Sequence, residues 1–467
     1  MHFEKNLLSI LEKSLEGFET LVSTSRLTSG ASRITYEITT ICKGKQKKVA
    51  LRINPRDSNK DGLMSQRIAP SSEAKVMELA RSAGVPTPEI IYIFDRSDNL
   101  GEGYLMTWMD GESLGSKIAR GQELQSVRPI LAKQCGQILA RLHSIDISGL
   151  DHSLDKVEPM DYVSQQYKIY QSLGVQRPMI DYVARWLKEN PPRERPLCLV
   201  HNDFRNGNLL VDRINGISGV LDWEIAHIGN PVRDIGWLCT ASWRFGVPEN
   251  TVGGFGILDD LLNSYKESGG VDLDKSEIKF WTVFGSFWWA IACLLMEKSY
   301  ENGEDQSIER PIIGRRVSEC EIDCANLLMP GKTSFDSAKL KIYKGNQNEP
   351  LLLAAVKKFI KEEMLQKTKG RPRFLATIAF NAIDITIREY KHGPEFRAFE
   401  QRQLEELLKR EENFPNLRLE LSSAIKNKII SLDNEELKRY LRDSALLQIL
   451  IDLPNYPGLD VLTKTIS

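Results

Sequence analysis

LCLVHNDFRNGNLLVD, residues 197–212, and ISGVLDWEIAHIG, residues 217–229, form a short β-like island in a mostly helical stretch of the chain. Its apolar runs, LCLV, NLLV and SGVL, are short and end in polar residues. That is the pattern of buried strands presenting polar groups at their ends and turns. His201, Asp203 and Asn208 fit H-x-D-x-x-x-x-N, and Asp222-Trp223-Glu224 begins fourteen residues after Asn208.

These residue types at these spacings suit phosphoryl transfer. A carboxylate must align the attacking hydroxyl and take its proton, and oxygen ligands must hold Mg²⁺ against a nucleotide's phosphates. Asp203 suits the first task; Asn208 and Asp222 suit the second. An amide at Asn208 ligates without adding a negative charge beside the phosphates. The competing reading of Asp203 and Asn208 is a turn closed by side-chain to backbone hydrogen bonds. That reading leaves Asp222 and the apolar flanks unexplained.

Upstream of the island, a helix is expected near 4–18. Residues 35–42, 48–53, 90–94 and 103–108 read as strands, short, β-branched and bounded by turn residues. A helix interrupts them, with Ser71 or Ser72 as its N-cap and Gly84 as its C-cap. Residues 110 to about 330 are mostly helical by periodicity. Residues 330–350 read as a polar connector, and helices over 351–365, 374–389, 395–412, 417–430 and 434–452 form a small bundle. The fold class is α+β with a C-terminal all-α domain.

Composition narrows the function. The chain has 467 residues, 41% hydrophobic and 27% charged, and a formal net charge of -1. It is long enough for two or three domains. Its neutrality excludes a globally basic nucleic-acid binder, so no nucleic-acid partner is expected. Seven cysteines are widely spaced without a CxxC. They read as reduced, buried thiols, and a cytoplasmic location follows as an expectation. The N-terminus lacks the pattern of a signal peptide. The longest apolar stretch, residues 280–296, is interrupted by Thr282, Gly285 and Ser286 and reads as a core helix rather than a membrane span.

HNDFRNGNLL, GVLDWEIAHIGNPVRDIGWL, GVPTP after the helix ending at Gly84, and ARLHSID together resemble the aminoglycoside phosphotransferase family. Within that family they are most similar to the branch containing the kinase domain of acyl-CoA dehydrogenase family members 10 and 11. The resemblance covers about residues 20–330 and implies a two-lobed protein-kinase-like fold. The nucleotide-binding lobe would span 1–108, the catalytic and acceptor-binding lobe 109–335 and a linker 336–350. Residues 351–467 would form a helical domain resembling an uncharacterised one found beside such phosphotransferases.

The resemblance also implies roles. The catalytic set is Asp203 as base, His201 buttressing its loop, and Arg205; Asp234 braces the loop as structural support. Asn208, Asp222 and Glu224 form the metal set, although Glu224 also reads as a substrate-facing, surface or helix-capping acid. Gly30 and Ser32 lie in the phosphate-covering turn. Arg52 stands where protein kinases place a lysine, and Glu73 is its expected ion-pair partner. Main-chain groups from Thr107 to Met109 meet the adenine edge. ATP and Mg²⁺ are the implied cofactors, and a hydroxyl of a small molecule is the acceptor. A hydroxyacyl-CoA is the acceptor suggested by the branch. The helical domain is a candidate homodimer surface. Two alternatives remain: a catalytically weak nucleotide-binding protein whose helical extension recruits a partner, and a protein kinase, which the lack of an APE-like segment after Asp222 disfavours. His143 and His227 read as structural.

Overall fold

A computed structural model describes residues 2–27, 33–54, 67–150, 153–335 and 350–464. By packing, the chain divides into two compact units: residues 1–159 with 193–281, and residues 160–192 with 282–467.

The first unit is built on a five-stranded antiparallel sheet in the order β1-β2-β3-β5-β4. Its strands are β1 (Phe18–Arg26), β2 (Ile34–Cys42), β3 (Lys45–Ile53), β4 (Ile90–Ile93) and β5 (Gly103–Thr107). Lys43 and Gly44, with φ of 51° and 71°, join β2 to β3. Left-handed conformations at both central residues give the twist that a two-residue hairpin needs. β1 escaped the sequence reading because FETLVSTSR is exposed at nearly every position and shows no apolar alternation. Among the described residues it is an edge strand paired only with β2.

Leu7, Ile10 and Leu11 of the helix His2–Ser14 pack with Ile38, Val49, Leu51 and Leu105 of the sheet to form the core of this part. Behind β4 and β5 lies the helix Pro70–Ser82. It is capped at Ala69 with Pro70 in the first turn, so Ser71 and Ser72 lie inside the helix rather than at its cap. Proline is already shaped for the first helical position, and its missing N–H is not needed there.

The island forms two small ladders, as the apolar runs predict. β6 (Cys198–Val200) pairs with β9 (His227–Gly229), and β7 (Leu209–Asp212) pairs with β8 (Gly216–Val220). The Val220 N–H donates to the Pro86 carbonyl at 2.7 Å, and Glu112 bridges Val211, so both GVPTP and the segment after β5 dock on the β7–β8 ladder.

The second unit is helical. The helix Pro178–Glu189 packs on Phe414–Lys426. Arg185 Nη1 donates to the Ile425 and Ile430 carbonyls at 3.1 and 2.6 Å. Residues 160–192 and 282–335 belong to the same compact unit as the C-terminal helices. The linker expected at 336–350 lies outside the described residues except Pro350. The helices expected at 374–389 and 395–412 are one helix, Gly370–Leu408, running through Pro394. Burial of Ile387, Phe396 and Leu404 along it outweighs the cost of an internal proline, about 3 kcal/mol.

All seven cysteines are free and buried. Among the described residues one helix, Lys275–Glu301, is long and apolar enough to cross a membrane, and 83% of its apolar window is buried in the protein.

Candidate active site

The island places its polar residues through two strained backbone positions. Asn202 and Asp222 have φ of 66° and 69°. Asparagine and aspartate tolerate the left-handed region better than most residues, and such positions persist where surrounding contacts over-determine them. Asp234, at the start of the helix Val232–Cys239, supplies those contacts for the first. Its carboxylate is fully buried and accepts from the His201 N–H at 2.9 Å and the Asn202 N–H at 2.7 Å. His143 Nε2 lies 3.2 Å from the same carboxylate, and its Nδ1 lies 2.9 Å from the Tyr265 hydroxyl. Burial alone would raise the pKa of Asp234, but the His143 contact and the loop amides outweigh it and hold it below the usual carboxylate value.

His201 is also fully buried, and burial pushes its pKa below the ordinary histidine value. Its two nitrogens fit a neutral ring. Nε2 donates to the Leu221 carbonyl at 3.0 Å, and Nδ1 accepts the Asp203 N–H at 3.2 Å. The ring also stands 4.4 Å from that of Trp223, tying the Asp203 loop to the segment that carries Asp222.

Asp203 is gripped from three sides. Its Oδ1 accepts from Trp237 Nε1 at 2.7 Å and from Arg205 Nε at 3.0 Å, and its Oδ2 accepts from Asn208 Nδ2 at 2.6 Å. Arg205 is itself stacked 4.3 Å over the Trp243 ring. Asn208 sits beside Asp222 because the Leu221 N–H donates to the Asn208 carbonyl at 2.8 Å.

Across from the loops, β3 presents Arg52. One of its terminal nitrogens donates to Asp222 and, at 2.9 Å, to Glu224. Burial pulls the arginine's pKa down, but the charges of Asp222 and Glu224 outweigh it and hold it raised; the same contact holds Asp222 below its ordinary value despite burial. The expected Arg52–Glu73 pair is only a loose one, at 3.8 Å. Glu73 is bonded instead to Arg33, a buried residue that the sequence reading passed over. Arg67 was also passed over, and its Nε lies 3.1 Å from Glu224 Oε1.

Glu224 is thereby enclosed by guanidinium groups and only 8% exposed, so it is not a surface acid. Among the described residues no set of three or more His, Cys, Asp or Glu side chains gathers to hold a metal ion. The donor set still fits Mg²⁺, which takes one or two protein oxygens and completes its shell with phosphates and water. Asp222 uses only Oδ1 and Asn208 only Nδ2 in their contacts within the described residues, leaving one anionic and one neutral oxygen.

Thr107 ends β5, with its N–H bonded to the Glu89 carbonyl and its hydroxyl to the Glu89 N–H, both at 2.9 Å. Those groups are committed to the sheet edge. Met109 lies on the β7–β8 ladder; a Cβ at Gly219 would come within 3.2 Å of its sulfur, so glycine there leaves room for Met109. Gly30 and Ser32 lie outside the described residues. Trp237 was legible in principle: it stands three residues after Asp234, one helical turn on, and so shares its face.

Three comparisons bear on this geometry. Residues 23–267 match the phosphotransferase enzyme family, and residues 366–456 match a domain of unknown function, DUF6285. The mouse acyl-CoA dehydrogenase family member 10 is 28% identical over 246 residues, half of this chain and 22% of that protein. The mouse family member 11 is 25% identical over 402 residues, 80% of this chain and 49% of that protein, so the chain spans only about half of it or less. Among solved structures, a protein of Ralstonia eutropha JMP134 assigned as an aminoglycoside phosphotransferase superposes with a TM-score of 0.55 at 20% identity, covering 68% of this chain and 95% of its own. That likeness shows the fold: a two-lobed kinase-like architecture with an antiparallel-sheet lobe, followed here by additional helices. With more than half of its length matched and its motifs gathered in one site, the chain belongs to the phosphotransferase enzyme family.

Proposed function

We propose that the chain transfers the γ-phosphate of ATP to a hydroxyl group of a small molecule, in a Mg²⁺-dependent reaction. The observation that carries this reading is the setting of Asp203. Trp237 and Arg205 hold its Oδ1, which leaves Oδ2, with Asn208 as its single donor among the described residues, as the oxygen that takes the proton from the attacking hydroxyl. Asp234 and His201 fix the loop so that this carboxylate keeps its aim. Arg52 would bind phosphate oxygens, its planar fork suiting them better than an ammonium does. Mg²⁺, held by Asn208 and Asp222, would neutralise the phosphates' charge. A hydroxyacyl-CoA is the acceptor class we favour, because relatives that match about 80% of this chain are acyl-CoA dehydrogenase family members.

A second reading has one observation in its favour. Arg52 occupies both Asp222 and Glu224, as in a site that binds nucleotide weakly and turns it over slowly. ADP release measured over a panel of hydroxylated metabolites separates the two. Acceptor-dependent ADP release that EDTA abolishes and Mg²⁺ restores supports the phosphotransferase. Thermal stabilisation by ATP with no turnover on any acceptor supports the second reading.

A further inference from the structure

Arg205 stands where no charge is needed to hold the base. Trp237 Nε1 already donates to Asp203 Oδ1 at 2.7 Å and brings no charge with it. Arg205 adds a second donor, Nε at 3.0 Å, and a full positive charge in contact with the same oxygen. Its Nη1 donates to the Asn206 carbonyl at 3.3 Å, and its Nη2 makes no hydrogen bond within the described residues. Neither side chain is sealed off: Arg205 is 22% exposed and Asp203 15%.

The guanidinium is also held in one plane. Its flat face lies 4.3 Å over the ring of Trp243, which is itself buried in the turn Ala241–Trp243. Stacking fixes the plane in which the donors point, and a planar fork suits carboxyl oxygens better than an ammonium does. The neighbouring cation, Arg244, is committed elsewhere, donating to the Cys239 and Pro248 carbonyls at 2.7 and 3.1 Å. Among the described residues that leaves Arg205 as a cation with an open donor edge beside the base.

Distance ties that edge to the acceptor. A hydroxyl that hands its proton to Asp203 Oδ2 comes within about 3 Å of it and so stays within about 8 Å of Arg205 Nε, bonded to the other carboxylate oxygen. An oxygen a few bonds along the same molecule spans that gap. An unpaired guanidinium edge favours an acceptor that supplies such an oxygen and disfavours one that brings an ammonium there.

We propose that Arg205 selects the acceptor: its Nη2 edge takes an acyl oxygen, the carboxylate of a hydroxy acid or the carbonyl of its thioester, lying a few bonds from the hydroxyl that Asp203 deprotonates. Amino alcohols and amino sugars are disfavoured by the same charge. The proposal rests on the phosphotransferase reading of the same site.

The test is ADP release by the full chain with Mg²⁺ and ATP, on straight-chain hydroxy acids, free and as CoA thioesters, and on the simple alcohol and the amino alcohol of each chain. In wild type the kcat/KM of the best acyl compound is expected to exceed that of its simple alcohol about thirtyfold or more, because a site built to bond an oxygen rejects the analogue that lacks it. Arg205→Gln is expected to shrink that ratio to within about threefold. A free acid that outperforms its thioester supports the carboxylate as the group bound, and the reverse supports the thioester carbonyl. Wild type that uses the simple or the amino alcohol as well as the acyl compound overturns the proposal. So does an Arg205→Gln enzyme that loses the same factor on both, which would assign Arg205 to the phosphates or to Asp203 alone. Should Arg205→Gln fail to fold or lose all turnover, Arg205→Lys takes its place, with the ratio expected to fall about fivefold or more; an unchanged ratio overturns the proposal. No ADP release on these acceptors or on the wider metabolite panel overturns the phosphotransferase reading and the proposal together, whereas turnover without an acyl preference overturns only the proposal.

Discussion

Arg52 on β3 and Asp222 after β8, 170 residues apart in sequence, form an ion pair that joins the sheet to the loop after β8. Glu224 shares the same guanidinium nitrogen at 2.9 Å. Replacing Arg52 with methionine leaves Asp222 without its cation, while Glu224 keeps Arg67 at 3.1 Å. Because the Asp222 side chain is a third exposed, breaking the pair costs less than it would for a fully buried one, about 1–2 kcal/mol. Urea unfolding of Arg52→Met is expected to show a loss of that order, and Arg52→Met with Glu224→Gln a smaller one. An unchanged urea midpoint in Arg52→Met would show that the pair contributes nothing.

Acid should weaken the fold in two stages. Burial lowers the pKa of His227 to about 4, so its ring stays neutral in the folded state while the unfolded ring takes a proton near 6.5. Stability from this group is complete above about pH 6.5 and falls progressively down to about pH 4, by about 3 kcal/mol in all. Asp222 and Asp234 have depressed pKa values, so their contribution is complete above the ordinary carboxylate value near 4 and is lost only below it. Urea midpoints measured from pH 7.5 to 4.5 should fall in wild type and stay flatter in His227→Gln.

Trp237→Phe keeps the ring and removes the N–H that reaches Asp203 at 2.7 Å. A hydrogen bond to a charged group contributes about 1.5–3 kcal/mol. The expected result is a fall in kcat of about tenfold or more with little change in the KM for ATP. A rise in KM at constant kcat would assign Trp237 to binding instead.

Gly136 lets two helices of the first unit, Arg128–His143 and Leu258–Glu267, approach closely. A Cβ there would lie 2.5 Å from the Leu261 carbonyl and 2.7 Å from the Tyr265 nitrogen. Backbone cannot yield as a side-chain tip can. Gly136→Ala is expected to destabilise by about 2 kcal/mol or more, read as a lowered melting temperature.

The island was legible because its chemistry is local. Asp203, Asn208 and Asp222 come together through two short hairpin-like ladders and the left-handed residues beside them, all within one stretch of sequence. Residues whose roles depend on distant packing were not. Arg33 reads as an ordinary charge until the hairpin through Lys43 and Gly44 and the helix Pro70–Ser82 bring it to Glu73. It takes the closer share of the Glu73 carboxylate, leaving Arg52 3.8 Å away. β1 was hidden for the opposite reason, since an exposed edge strand needs no apolar alternation. Residues 160–192 show helical periodicity, but nothing in that periodicity says that Tyr182 donates to Leu432 at 3.1 Å.

The most direct measurement compares wild type with Asp203→Asn under saturating ATP, Mg²⁺ and an acceptor, with Mg²⁺·ADP affinity determined alongside. The side chain keeps its size and loses the ability to take a proton. The expected result is a fall in kcat of about a thousandfold with nucleotide affinity within about threefold of wild type. An Asp203→Asn enzyme that retains wild-type turnover would contradict the assignment of Asp203 as the base.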